Sequence, residues 1–254
     1  MVVRRYAYGR NPARPTRRGM RSAFIMATAL NTLGAPPDAS NEYAAKVTAP
    51  WNMFGNDTLG DCVAADSAHT LMLRTANVST IVVPTLDDVI KLYSDVGHYV
   101  PGDPNTDNGC EESDMCLYLK TTGFLGHKAN AYGNIDPTEI DHIKWCIQLF
   151  GSCRLGLNLP AFAEDQFDQN KPWDLNPGGD QSPGGHDVPL VDYRNGLLYC
   201  VTWGRLQPIT VPFILKYCEE AHAELYFDWI NAQGMTPAGF NLNDLADKLK
   251  EIVA

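Results

Sequence analysis

Cys62 and His186 are the two side chains of this sequence best placed for nucleophilic chemistry. Cys62 follows a loop dense in turn formers (Asn52, Gly55, Asn56, Asp57, Gly60, Asp61) and opens a helical run reaching about Ala76. A helix N-terminus stabilises a thiolate through its dipole and free N–H groups, and the same groups can hold a developing oxyanion. Asn56, six residues before Cys62, offers a side-chain donor to that oxyanion. Asp61 opposes the thiolate, because a neighbouring carboxylate raises its energy, unless the side chain turns away to cap the helix. His186 follows Gly184 and Gly185 and opens an apolar strand, from which it can reach a nucleophile on another part of the fold. Thiol and imidazole suffice for acyl transfer: the imidazole takes the proton from sulfur and later returns it to the leaving group.

The elements that must position this pair change character along the chain. Residues 1–40, rich in Arg, Pro and Gly, read as an arm or linker outside the core, and Asn41 to Thr48 as a short strand. Helices are expected from Cys62, from Leu86 to Val96 with Thr85 and Asp88 as a capping box, and between Pro137 and Phe150. Residues 100–115 read as a polar loop; Asp103, Asn105, Asp107 and Asp114 approach a calcium pattern, but the glycine falls one position late, so a solvated acidic loop is expected. Strands follow at Cys153 to Leu159, Val188 to Tyr193 and Leu197 to Trp203, the last two joined by an Asn195-Gly196 turn. A loop of about 25 residues precedes His186. A short helix is expected at Pro212 to Glu220, a strand at His222 to Trp229 and a closing helix at Leu242 to Val253. The expected class is α+β. A helical part over 41–151 precedes a mostly antiparallel sheet part over 152–230, and a C-terminal helix over 241–253 completes a single domain at 41–254.

Asn56-Asp-Thr-Leu-Gly-Asp-Cys62-Val-Ala-Ala resembles the glutamine-to-cysteine motif of the papain-like cysteine peptidases. Gly184-Gly-His186-Asp-Val-Pro-Leu-Val-Asp-Tyr is similar to their catalytic-histidine strand, and Thr202-Trp203-Gly204 to the end of their Asn-Ser-Trp-Gly motif. A bacterial and phage branch of that fold, with a Gly-Asn-Asp-x-x-Gly-Asp-Cys loop, resembles this chain more closely still. The resemblance covers about residues 40–230 and implies Cys62 as nucleophile, His186 as base and acid, Asn56 in the oxyanion hole and Trp203 shielding the histidine. Asn56 stands where the family has glutamine. The family's orienting asparagine falls on Val201 by motif or on Thr202 by counting from the histidine. With about 40 residues ahead of the apparent body, no long pro-segment is expected.

Charge divides the chain. Net charge is −10 over 254 residues, which argues against a nucleic-acid binder. Residues 1–22 carry seven arginines and no acid, leaving a remainder with 13 basic and 30 acidic groups. The arm is expected to bind an acidic protein surface, on its own body or on another copy in a homo-oligomer or virion assembly. The seven cysteines show no C-x-x-C pair and read as reduced thiols, so no structural zinc, other metal or cofactor is implied. No apolar run spans a membrane, and Ala23 to Leu30 is too short for an export signal, so a cytoplasmic or virion-associated location is expected. Two functions follow: a thiol hydrolase or peptidase with a Cys–His dyad acting on a protein or peptide, or an inactive structural protein of the same fold.

Overall fold

The computed structural model describes residues 5–242 apart from 178, 180, 182, 183 and 232. Among them, helices α1 (Arg17–Leu30), α2 (Cys62–Val78), α3 (Leu86–Gly97) and α4 (Glu112–Thr121) precede strand β1 (Ala129–Ile135). Then come α5 (Ile140–Phe150), β2 (Cys153–Leu159), α6 (Phe162–Asp168), β3 (Gly184–Arg194), β4 (Leu197–Thr202), β5 (Arg205–Thr210), α7 (Val211–Tyr217) and β6 (Cys218–Tyr226). The six strands form one antiparallel sheet in the order β1-β6-β2-β3-β4-β5. The architecture is α+β, as the element order implies. The closing helix expected over 241–253 lies almost wholly outside the described residues.

Local rules hold where their signals are strong. Thr85 and Asp88 form the capping box of α3. Asn195 and Gly196, at φ 52° and 77°, make the tight β3–β4 turn.

Other segments depart from expectation. The supposed arm over 1–40 contains a 14-residue helix, α1, whose start Thr16 caps by accepting from the Gly19 N–H. Met26 and Leu30 on its inner face are buried in the core with β1 and α5, so part of the apolar run Ala23 to Leu30 is a packing face, while Phe24 on the other side is exposed. Residues 43–46 form a 3₁₀ turn instead of a strand. The acidic loop ends early, because Met115, Cys116 and Leu119 form the buried side of α4. Strand β1 escapes notice because its sequence, ANAYGNI, is poor in β-branched residues and carries a glycine. Pro208 disguises β5, but at the sheet edge a proline leaves no ladder bond unmade.

Two apolar cores flank the sheet. One gathers α1, α5 and α7 around Leu155, Val188 and Leu190; the other gathers α2, α3 and α4 around Val63, Leu71 and Val191. Helix α2 packs along β3, so Cys62 at the first turn of one element meets the backbone of Asp187 near the start of the other. No helix among the described residues is long and apolar enough to cross a membrane.

Candidate active site

The thiol-bearing loop is braced from several sides. Asp107 accepts from the Gly60 N–H at 3.0 Å and from the Tyr93 hydroxyl at 2.7 Å, so one acid of the supposed solvated loop fixes the approach to α2. His69 bonds the carbonyls of Trp51 and Asn52 at 3.0 and 3.1 Å. The Asn56 amide donates to the Leu59 carbonyl at 3.2 Å, so this expected oxyanion donor is engaged within its own loop. Asp61 precedes the helix without a side-chain capping bond. Burial holds its carboxyl well above the usual range, with Asn56 a partial offset, which favours the uncharged acid and weakens its opposition to a thiolate.

The structure brings His186, Thr202 and Trp203 together and ties Cys62 to the residue after His186, with no hydrogen bond between the thiol and the imidazole. The Asp187 N–H donates to Cys62 Sγ at 3.4 Å, which ties the residue after His186 to the thiol. His186 Nε2 lies 2.8 Å from Thr202 Oγ1, while Nδ1 has no hydrogen-bond partner. Of the two positions the sequence leaves open for an orienting group, Thr202 is therefore the one that meets the imidazole. Trp203 stacks on the His186 ring with centroids 4.9 Å apart and planes at 25°. Its φ of 44°, followed by Gly204 at 77°, turns the chain sharply at the end of β4 and lays the indole over the imidazole.

The N-terminal segment fills the cleft above this group. Tyr6 stacks on Trp203 at 4.1 Å, and Tyr8 sets its ring edge-on to His186 at 5.7 Å. The backbone of residues 9–11 runs extended between two rims: Arg10 N–H donates to Gly185 O at 3.1 Å, Cys110 N–H to Gly9 O at 2.9 Å, and Asn11 N–H to Cys110 O at 3.0 Å. The approach is so close that a Cβ on Gly185 would lie 2.2 Å from the Arg10 carbonyl oxygen. The arginines pair with acids of the same chain: Arg5 with Glu164, Asp165 and Asp168, Arg10 with Glu219 and Glu220, and Arg14 with Glu111.

This arrangement sets the protonation of the pair. Burial pushes the Cys62 thiol far up; the Asp187 charge adds to this, and hydrogen bonds from Asp187 and Gly9 offset it only in part. Burial and then the Arg10 charge bring His186 down from 6.5 to about 3. Both groups are neutral while the segment is in place.

A pH dependence of closure follows. With the cleft open, His186 returns toward 6.5, so closure is fully favoured above that value and weakens as pH falls toward 3. Burial alone would raise the Glu220 carboxyl, but His222 and Arg10 outweigh it and hold it below its usual range, so it also loses its contribution in acid. Cys62 acts at the other end: an open thiol can ionise and the closed one does not, so closure weakens in alkali. Hydrogen exchange at the Arg10 and Asn11 amides, corrected for intrinsic rates, is expected to show greatest protection near neutral pH and less in both acid and alkali. A flat profile from acid to alkali would contradict it.

Other functional candidates carry little sequence signal. Behind the thiol, Arg154 of β2 is buried among Asp66, Asp187 and Glu224. Glu112, Glu220 and His222 also converge from α4 and β6, with ligand atoms within 4.8 Å of one another. Two carboxylates and an imidazole suit a divalent cation in chemistry, yet here the Arg10 guanidinium pairs with Glu220. None of these residues shares a local motif. The one clue is the segregation of arginines from acids, which says that they meet and not where.

No protein-family model matches the sequence, and no curated protein matches it. Solved structures do. Xylellain, a cysteine protease from Xylella fastidiosa, superposes with a TM-score of 0.62 at 16% identity, over 89% of this chain and 99% of that one. A digestive procathepsin L2 from Tenebrio molitor gives 0.57 at 13% identity over 86% and 78%. A cysteine protease from Carica candamarcensis gives 0.51 at 12% identity over 75% and 99%. At these identities the likeness is one of fold, and it agrees with the helical layer, the antiparallel sheet and the cleft between them: this chain has the papain-like α+β fold.

Proposed function

We propose that the chain is a papain-like thiol hydrolase acting on peptide bonds and held closed by its own residues 5–11. One observation carries the reading: beside a thiol at a helix N-terminus and an imidazole oriented by Thr202, the cleft already holds an extended peptide hydrogen-bonded from both rims. Once that segment withdraws, water returns to the pair and the His186 Nδ1 is the ring nitrogen free to take the Cys62 proton. The thiolate attacks the carbonyl carbon, forming the C–S bond, and the oxyanion sits at the N-terminus of α2. His186 returns the proton to the departing amine as the C–N bond breaks. It then draws a proton from the water that hydrolyses the thioester. Asn56 joins the oxyanion hole only after giving up the Leu59 carbonyl.

The test is the pH–rate profile of Cys62 alkylation by iodoacetamide in the Gly9→Val chain, in which the cleft is forced open. The apparent thiol pKa is expected below the ordinary 9, and His186→Ala is expected to return it to that value. If Cys62 alkylates no faster than the other six cysteines and His186→Ala changes nothing, the hydrolase reading is wrong.

A further inference from the structure

The side chain of Arg10 leaves the cleft backbone and enters a closed acidic pocket one residue from His186. It is 2% exposed, although its main chain lies in the groove. Its two terminal nitrogens take different acids: Nη1 donates to Glu220 Oε1 at 2.6 Å and Nη2 to Glu219. Glu112 adds a third carboxyl, fully buried, with neither oxygen hydrogen-bonded, and burial with the nearby Asp187 and Glu220 charges holds it well above the usual carboxylate range. His222 Nε2, 3.1 Å from Glu220 Oε2, props the pocket from behind. Gly156 of β2 makes the space: a Cβ there would lie 2.3 Å from Glu112 Oε1, 2.7 Å from Glu220 Cγ and 2.8 Å from Arg10 Cδ. Three carboxyls with room for one planar cation form a site that a lone aliphatic side chain would leave uncompensated.

The geometry points to a guanidinium subsite: the pocket of Glu112, Gly156, Glu219 and Glu220 selects an arginine in the peptide that replaces the N-terminal segment. This names the substrate class and rests on the hydrolase reading, since it uses the same groove. The backbone rims at Gly185 and Cys110 bind any extended chain, because they use only main-chain groups. The pocket supplies the selectivity. It favours arginine over lysine, because two separate acids receive two separate nitrogens of a planar fork, which an ammonium point charge cannot match. Arg10 holds the place an arginine of the substrate would take, so closure and substrate selection use one set of acids.

Two experiments on the full chain test this. In Arg10→Ala the pocket is emptied while the segment keeps its backbone bonds. Propylguanidinium is expected to raise the melting temperature of this variant, N-propylurea to leave it unchanged, and propylammonium to act more weakly than the guanidinium. None should stabilise the unaltered chain, whose pocket is full. If Zn²⁺ stabilises Arg10→Ala and propylguanidinium does not, the acids form a cation site and the proposal fails.

In Gly9→Val, the peptide acetyl-Tyr-Gly-Arg-Asn-amide is expected to bind about 30-fold or more tighter than its norleucine counterpart, by calorimetry. Glu220→Gln should remove most of that preference. Equal binding of the two peptides would overturn the proposal. These readouts need no catalysis: arginine preference with an inert Cys62 would leave the pocket standing and remove the hydrolase, and a reactive Cys62 without preference would do the reverse.

Discussion

Gly9→Val is expected to raise the rate of Cys62 alkylation by iodoacetamide on the order of 100-fold in the full chain at neutral pH. In the unaltered protein the reagent reaches sulfur only through the fraction of molecules whose cleft is open. Gly9 is where that fraction can be changed most sharply. A Cβ added there would fall 1.7 Å from the Gly60 carbonyl oxygen and 2.1 Å from its carbon, both backbone atoms that Asp107 holds in place. Neither side can yield by rotating a side chain, so the segment must lift from the groove. Lifting it takes Arg10 out of its pocket and Tyr6 off Trp203, and it returns water to Cys62 and His186. Arg5→Ala is expected to change the rate only severalfold, because that guanidinium is 44% exposed and its ion pairs are screened by solvent. The rate is read by mass spectrometry of the Cys62 peptide, with the other six cysteines as internal references. Equal labelling in Gly9→Val and the parent, with circular dichroism unchanged, would mean that residues 5–11 do not govern access.

Arg154→Met should cost about 3–5 kcal/mol of folding stability, measured as a fall in the urea midpoint at unchanged slope. Arg154 is the central cation of a buried network: it lies 3.0 Å from Asp66 and 3.3 Å from Glu224, pairs with Asp187, and donates to Ser67 at 2.9 Å and to the Val63 carbonyl at 3.2 Å. Taking away the cation leaves three buried carboxyls facing one another. Asp66 shows the tension even with Arg154 present: burial raises it to about 7, against the pull of the guanidinium.

The sign of the pH effect follows. Without Arg154 the native state holds Asp66 and Asp187, which burial already raises, protonated above their unfolded values. The loss is then expected to be greater at pH 8 than at pH 5, because acid supplies the protons that replace the missing cation. A loss independent of pH would show that packing, not charge, is the role of Arg154. The network also reaches the site, since the Asp187 N–H is a partner of the Cys62 thiol. Arg154→Lys keeps the charge with fewer donors and is expected to fall between the two.

The candidate residues were legible in the sequence because they stand on local rules. A turn-rich loop running into a helix marks Cys62, paired glycines opening an apolar strand mark His186, and Asn195-Gly196 sets the register of β3 on β4. The arm over 1–40 misled because composition suggested linker, while the spacing of Met26 and Leu30 on α1 was enough for a buried face. Helix α4 was hidden for the opposite reason: its acidic first turn continued the acid-rich stretch before it.

By itself, then, the sequence determined the α+β order and the separation of a basic end from an acidic body, and it singled out the thiol and imidazole on which the proposed function rests. Only the tertiary structure chose Thr202 over Val201 as the group at the imidazole, because strand register and the sharp turn at Trp203 decide which side chain faces His186. It alone decided where the basic end goes. Charge brings opposite signs together but carries no address: Arg10 meets Glu219 and Glu220 across 209 and 210 residues of chain. Steric fit supplies the address, through a groove whose close-set rims admit Gly9 and a pocket floored by Gly156 that admits the side chain beside it.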